Sequence, residues 1–247
     1  CRRSLQNLCH HLAKTMVLGA YAEYVKVPAA VVETNMYPKP DDLDYREAAM
    51  LEPLSCVCYG IIQVPVSSAD SAVVIGAGAI GLLHVMVLKE LGVKQVIVSG
   101  RHRYRLDMAK EVGADCDIDS NNVAATDAIL AATGGLGAPV VFECTGMPAV
   151  WEEAVMMVSR GGYVVLFGGC PGETTVTYKT ARIHYDQITL KGIFHFTPDA
   201  VHIAYRLLTD GRLNITPLIT GNRTLEEVPE TFRNFNGKDA LKYAIIP

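Results

Sequence analysis

From Ser71 onward the chain alternates short β-branched, apolar runs with stretches whose apolar positions recur every three or four residues. The first pattern predicts strands and the second helices. SAVVI (71–75) reads as a strand, followed by a helix from Ala79 to Leu91. QVIVS (95–99) is a second strand, followed by the helix YRLDMAKEV (104–112), which Gly113 can end. ADCDI (114–118), APVVFEC (138–144), YVVLFGG (163–169) and ITLKGIF (188–194) read as four more strands. A helix with Pro148 in its first turn and Gly161 past its end precedes the fifth. After the sixth, HFTPDAVHIAYRLLTDG (195–211) starts a helix with Thr197 as N-cap and Pro198 following it.

Apolar strands alternating with helices imply right-handed crossovers and a parallel sheet covered on both faces. The fold class is therefore α/β, with a doubly wound parallel sheet at its centre. Residues before about 55 are richer in turns and lack this rhythm, and residues after 195 leave it again. Three segments result: 1–55, 56–195 and 196–247.

Composition narrows the partners. The chain has 247 residues, half of them hydrophobic, and a formal net charge of −4, enough for one large or two small domains with a real core. No run of Lys and Arg marks a stripe for a phosphate backbone, which argues against nucleic acid. The longest apolar stretch, from Ala72 to Leu88, is broken by Gly76, Gly78, Gly81 and His84 and divides into strand, turn and helix, which argues against a membrane span. Seven cysteines, an odd number, show no disulfide-framework spacing, and the expectation is a reducing, cytoplasmic setting.

Chemistry concentrates where the first strand meets its helix. Gly76, Gly78 and Gly81 form G-A-G-A-I-G there. In that context the first glycine allows the tight turn, the second lets backbone approach a pyrophosphate, and the third lets helix pack on strand. The amides at the helix start, Ala79, Ile80 and Gly81, then face the phosphates. A bare strand-to-helix turn would need the same glycines without a ligand. An NAD site usually places a carboxylate at the end of the second strand, about 20 residues on, for the ribose hydroxyls. Here that place reads Ser99-Gly100-Arg101. Gly100 removes an acid that would repel a 2′-phosphate, and Arg101, with Arg103 or Arg105 as further candidates, offers a planar fork to one. NADP is favoured, with NAD possible; the plain alternative is a set of solvated arginines in a helix's first turn.

With CRRSLQNLC (1–9), GAYAEYVKVP (19–28), AAMLEPLS (48–55), VVFECTG (140–146) and GGYVVLFGG (161–169), the sequence resembles the zinc-dependent medium-chain alcohol and polyol dehydrogenases. The resemblance runs along nearly the whole chain and implies a Rossmann domain flanked by parts of a GroES-like catalytic domain. It implies that Cys1 and Cys9 are the last two thiolates of a four-cysteine structural zinc lobe, so that an N-terminal segment is missing. It places Glu52 where sorbitol- and threonine-dehydrogenase-like members carry a glutamate at the catalytic zinc, and a carboxylate is a competent zinc ligand. Composition alone makes Glu52 an ordinary helix-end residue before Pro53.

Backbone after the later strands is expected to line the cofactor: Cys144, Thr145 and Gly146, then Phe167 and Gly168, then Ile193 and Phe194. Gly168 and Gly169 equally suit the plain end of a strand. His84 suits a core histidine, His195 is a weak substrate-side candidate, and Cys56 and Cys58 suit small buried hydrophobes. Gly221 stands where many relatives carry a histidine. No catalytic residue is assigned. The expected activity is hydride transfer between a nicotinamide cofactor and an alcohol, polyol or related ketone, zinc-assisted when complete, in a homo-oligomer. Two other readings remain: a nucleotide-binding module without catalysis, and a zinc-free quinone reductase.

Overall fold

Strands that are apolar along their length need cover on both faces, and the central sheet supplies it. A computed structural model describes residues 5–11, 19–66, 69–235 and 240–247. Contacts divide the chain into two units, Gly60–Ile193 and a second formed by Cys1–Tyr59 with Phe194–Pro247.

The Gly60–Ile193 unit holds six parallel strands: β1 (Ser71–Ile75), β2 (Gln95–Gly100), β3 (Cys116–Asp119), β4 (Ala138–Glu143), β5 (Val158–Leu166) and β6 (Thr189–Gly192). Their order is β3-β2-β1-β4-β5-β6, the doubly wound order in which chain direction across the sheet reverses between β1 and β4. Val73, Ile97, Val141 and Val164 are fully buried at the centre, packed with Ile129, Ala154 and Met157 from the covering helices. Helices Ala79–Glu90, Arg103–Glu111, Ala125–Ala132, Pro148–Met157 and Thr180–Tyr185 lie in the five crossovers.

Register aligns the strand ends. Ile75 pairs with Ser99 and with Glu143, Glu143 with Leu166, and Leu166 with Gly192. The segments that begin at Gly76, Gly100, Cys144 and Phe167 therefore leave the sheet side by side. The helix opened by Pro148 stops at Met157, earlier than the pattern suggests, because Val158 already pairs with Ala138. Gly161 lies in the register shift that follows, before pairing resumes at Tyr163.

The other unit contains helices Ala29–Asn35, Tyr45–Ala48 and Pro198–Thr209 and a parallel pair, β7 (Ile219–Thr224) with β8 (Lys242–Ile246). Helix Leu51–Ile62 begins in it, and its residues from Gly60 belong to the sheet unit. Pro198 opens its helix as expected, but Thr197 makes no side-chain cap and is buried instead. Asn7, also buried, donates from Nδ2 to the Phe194 carbonyl at 2.6 Å, tying together two parts of the unit 187 residues apart.

Candidate functional site

The three glycines of the turn do different things. Gly76 has φ of +104°, a left-handed conformation that a side chain resists, and its amide donates to the Ser99 carbonyl at 2.7 Å. At Gly81 a Cβ would collide with the Gly76 carbonyl, so this glycine sets how closely helix meets strand. At Gly78 the only heavy atom near an added Cβ is Arg105 Nη1, 3.9 Å away. The protein's own packing does not require a glycine there; a side chain would project into open space.

That space is a crevice of about 610 Å³ lined by Gly76, Gly78, Ser99, Gly100, Arg101, Cys144 and Thr145, together with His102, Arg105, Ser120 and Met147. Behind it, Ala79, Ile80 and Gly81 form the first turn of a helix whose N-cap, Gly78, offers no side-chain acceptor. The first amides of a helix have no partner within it, so the crevice floor presents oriented N–H donors to an anion. A cradle that an added Cβ at Gly78 would enter, over a helix start with no side-chain cap, fits a dinucleotide pyrophosphate.

The three arginines differ in their partners. Arg103 pairs with Asp107 and Asp117, each at 2.7 Å, and those hydrogen bonds and charges raise its pKa. It is thereby committed to its own helix and to β3, and is not on the crevice lining. Arg101 is exposed at the crevice edge, its Nη2 3.7 Å from Met147 Sδ, while Asn121 Nδ2 donates to its carbonyl at 2.5 Å. Arg105 also lines the crevice, half-buried, and burial lowers its pKa from the usual guanidinium value.

The later loops are tied to one another. Glu143, fully buried at the end of β4, accepts from the amides of Thr145 at 2.7 Å and Gly146 at 3.2 Å and from the Thr145 hydroxyl. Its carbonyl accepts from the amides of Phe167 and Gly168 at 3.0 and 2.8 Å. Gly146 and Gly168 meet backbone to backbone, so a side chain on Gly168 would strike the Gly146 amide. Smallness here serves the approach of loop to loop, and neither residue lines the crevice. The Trp151 indole donates to the Gly168 carbonyl at 3.1 Å. In the sequence Glu143 carries a single signal, an acid closing an otherwise apolar strand. Ile193 donates to the Leu166 carbonyl at 3.2 Å, and Phe194 begins the segment of the other unit with its side chain 56% exposed.

The Phe167 ring turns inward onto His84. His84 is fully buried between Phe142 and Phe167, with Nδ1 2.9 Å from the Ile80 carbonyl, and burial lowers its pKa to about 4. It is a core residue. Cys58 is buried too, and desolvation pushes its thiol up to about 12.

A sequence model described as zinc-binding dehydrogenase matches residues 79–210, more than half of the chain. The chain belongs to the zinc-binding dehydrogenase family. This zinc-binding dehydrogenase is 29% identical to the L-threonine 3-dehydrogenase of Bacillus subtilis (strain 168) and 30% identical to the sorbitol dehydrogenase of Halalkalibacterium halodurans, covering all of this chain and 71% of each relative. A zinc-binding dehydrogenase from Sinorhizobium meliloti 1021 bound to NADP superposes with a TM-score of 0.91 at 27% identity, covering 100% of this chain and 72% of that one. The alcohol dehydrogenase of Thermus sp. ATN1 gives 0.90, also at 27% identity. By family it is an oxidoreductase of the alcohol and polyol dehydrogenase type, and the parallel sheet is the family's Rossmann domain.

Zinc is a property of that family; the described residues of this zinc-binding dehydrogenase do not assemble a site for it. Among them no three His, Cys, Asp or Glu side chains converge. Glu52 is exposed in the first turn of Leu51–Ile62 and accepts from the Cys56 thiol at 3.5 Å. Burial first, then the Glu52 charge, pushes that thiol up to about 12. Cys9 is a half-buried free thiol, and Cys1 lies outside the described residues. His195 has φ of +53° and packs edge-on against Phe194. Gly221 sits in β7, where a Cβ would come within 3.1 Å of the Tyr243 ring. No helix of the described residues is long and apolar enough to cross a membrane.

Proposed function

We propose that this chain binds a nicotinamide dinucleotide, NADP(H) in preference to NAD(H), and works on a small alcohol or polyol and the corresponding ketone. The observation that carries the reading is the open cradle at Gly78 above the uncapped start of Ala79–Glu90. The amides of Ala79, Ile80 and Gly81 would hold the pyrophosphate, with Ser99 and Gly100 under the adenosine ribose. Arg101 would meet the 2′-phosphate with charge-assisted hydrogen bonds, and Arg105 lies on the same wall. In the doubly wound plan the second half of the sheet, β4 to β6, takes the nicotinamide, which brings Cys144, Thr145 and the backbone from Phe167 to Gly168 and at Ile193 and Phe194 towards that end. When bound, the nicotinamide supplies the hydride acceptor or donor. Relatives named threonine, sorbitol and D-arabinitol dehydrogenase support the substrate class, and the NADP-bound neighbour supports the cofactor.

Glu52, Cys1 and Cys9 stand as proposed metal ligands on resemblance alone, and no step is derived through a metal. The described cysteines are free thiols, which supports a reducing, cytoplasmic setting. β6 ends the sheet with one edge unpaired among the described residues, which supports pairing with a second copy. Calorimetric titration with NADP(H) and NAD(H) tests the reading. NADP(H) is expected to bind at least about tenfold tighter, a difference of about 1.4 kcal/mol; tighter binding of NAD(H) by that factor overturns the cofactor assignment, and no binding of either overturns the whole.

A further inference from the structure

A single residue, Arg101, joins the end of β2 at Gly100 to His102, the N-cap of helix Arg103–Glu111. It is exposed at the crevice edge, with Nη2 3.7 Å from Met147 Sδ. An exposed arginine has much rotamer freedom to lose on meeting a ligand, so a backbone that already aims it lowers the cost of binding. That backbone is held from the turn after β3. Gly100 and Asp119 pair in register at the ends of their strands. The Gly100 carbonyl accepts from the Ser120 amide at 2.9 Å and from the Ser120 hydroxyl at 3.1 Å, and the Arg101 carbonyl accepts from Asn121 Nδ2 at 2.5 Å. Two successive carbonyls, one on each side of the Arg101–Gly100 peptide, are thus fixed by the β3 turn.

Asn121 is itself locked. Its backbone amide and its Nδ2 both donate to Asp119 Oδ1, at 3.0 and 2.9 Å, and Asn122 Nδ2 donates to Asp119 Oδ2 at 3.0 Å. The two partners of the Asn121 side chain are a carbonyl and a carboxylate oxygen, so its NH2 group faces them with one proton for each. Ser120 and Val123 line the crevice, whereas Asn121 is not on the lining; its side chain is turned to the backbone of Arg101 instead.

We propose that Asn121 is a positioning residue for Arg101: by holding the Arg101 carbonyl from the β3 turn it aims the guanidinium at the crevice, and it acts through Arg101 in selecting a dinucleotide that carries a 2′-phosphate. The inference rests on the reading of Arg101 given above and adds to it the residue that sets its direction.

Calorimetric titration of NADP+ and NAD+ into wild type, Asn121→Ala, Arg101→Ala and the double variant tests this. Asn121 is exposed in its turn, so its truncation leaves the core untouched. Asn121→Ala is expected to weaken NADP+ by about threefold to tenfold, the scale of one hydrogen bond's net worth, and to leave NAD+ within about twofold. In the Arg101→Ala background the same substitution is expected to change neither affinity by more than about twofold, because the residue it acts through is gone. Asn122→Ala, which removes a bond to Asp119 but none to Arg101, is expected to leave NADP+ within about twofold. Equal weakening of NADP+ and NAD+ by Asn121→Ala, an unchanged NADP+ affinity, the same loss with Arg101 already removed, or an equal loss in Asn122→Ala would each overturn the proposal, since each assigns Asn121 a purely structural part or none. If Arg101→Ala itself leaves the preference for NADP+ over NAD+ unaltered, the 2′-phosphate assignment fails and this inference falls with it, a result distinct from the others; if wild type binds neither dinucleotide, the whole binding reading fails.

Discussion

Single residues in the glycine turn separate ligand from scaffold. Gly78→Ala adds a methyl group to open space, so folding stability should change by no more than about 1 kcal/mol, the scale of a cap substitution. Dinucleotide affinity should fall by about tenfold or more, because the methyl occupies the cradle. Gly81→Ala drives a Cβ into the Gly76 carbonyl and should cost about 1–3 kcal/mol of stability whether or not cofactor is present. Chemical denaturation beside calorimetric titration distinguishes the two; equal losses of stability would refute the division. Arg101→Ala should weaken NADP(H) by about tenfold to a hundredfold, the worth of hydrogen bonds to a charged group, and leave NAD(H) within about twofold. Arg103→Ala should leave both unchanged, since that side chain is spent on Asp107 and Asp117. Sequence put Arg101 first and left Arg103 and Arg105 as further candidates without separating those two. What separates them is a pairing with Asp117, fourteen positions away and on a strand whose approach only the folded sheet decides. Glu143 was hidden for the same reason: its donors follow it in the chain, but its burial comes from β1 and β5.

Elements were more legible than their contacts. β1, β2 and β4 were legible as apolar runs because both faces of a parallel sheet are covered at its centre, so nearly every position there is buried, whereas β3 and β6, at the sheet's ends, are largely half-buried or exposed. The end of the Pro148 helix was not legible, since β-sheet pairing of Val158 outcompetes one more helical turn. The helix Ala79–Glu90 carries the consequence of burying a histidine inside such an element. His84 has an ordinary value of 6.5 when unfolded and about 4 when folded, so the unfolded chain binds the extra proton between those values. Stability is therefore intact above pH 6.5 and falls as pH drops towards 4, by on the order of 3 kcal/mol in total. Thermal melts of wild type and His84→Met at pH 7 and pH 5 check this: the variant should lose less stability between the two pH values. A parallel loss in both proteins would assign the acid sensitivity elsewhere.

At the scale of the molecule, the chain spans 71% of the length of its threonine and sorbitol dehydrogenase relatives, and its crevice is built entirely within Gly60–Ile193. Ligand binding to a folded unit raises its melting temperature by mass action. NADP at about a hundredfold excess over Kd should add about 2.7 kcal/mol to that unit, a shift of roughly 5–10 °C at a few degrees per kcal/mol. Scanning calorimetry should show the sheet unit's transition move; a shift confined to the other unit would place the ligand elsewhere. The joined loops after β4 and β5 have one more consequence. The only tryptophan of the chain, Trp151, is hydrogen-bonded to Gly168 on that joined rim, so the protein carries a native fluorophore whose emission overlaps the absorption of reduced nicotinamide. Quenching at its wavelength would follow arrival and departure of the cofactor in real time, without a label.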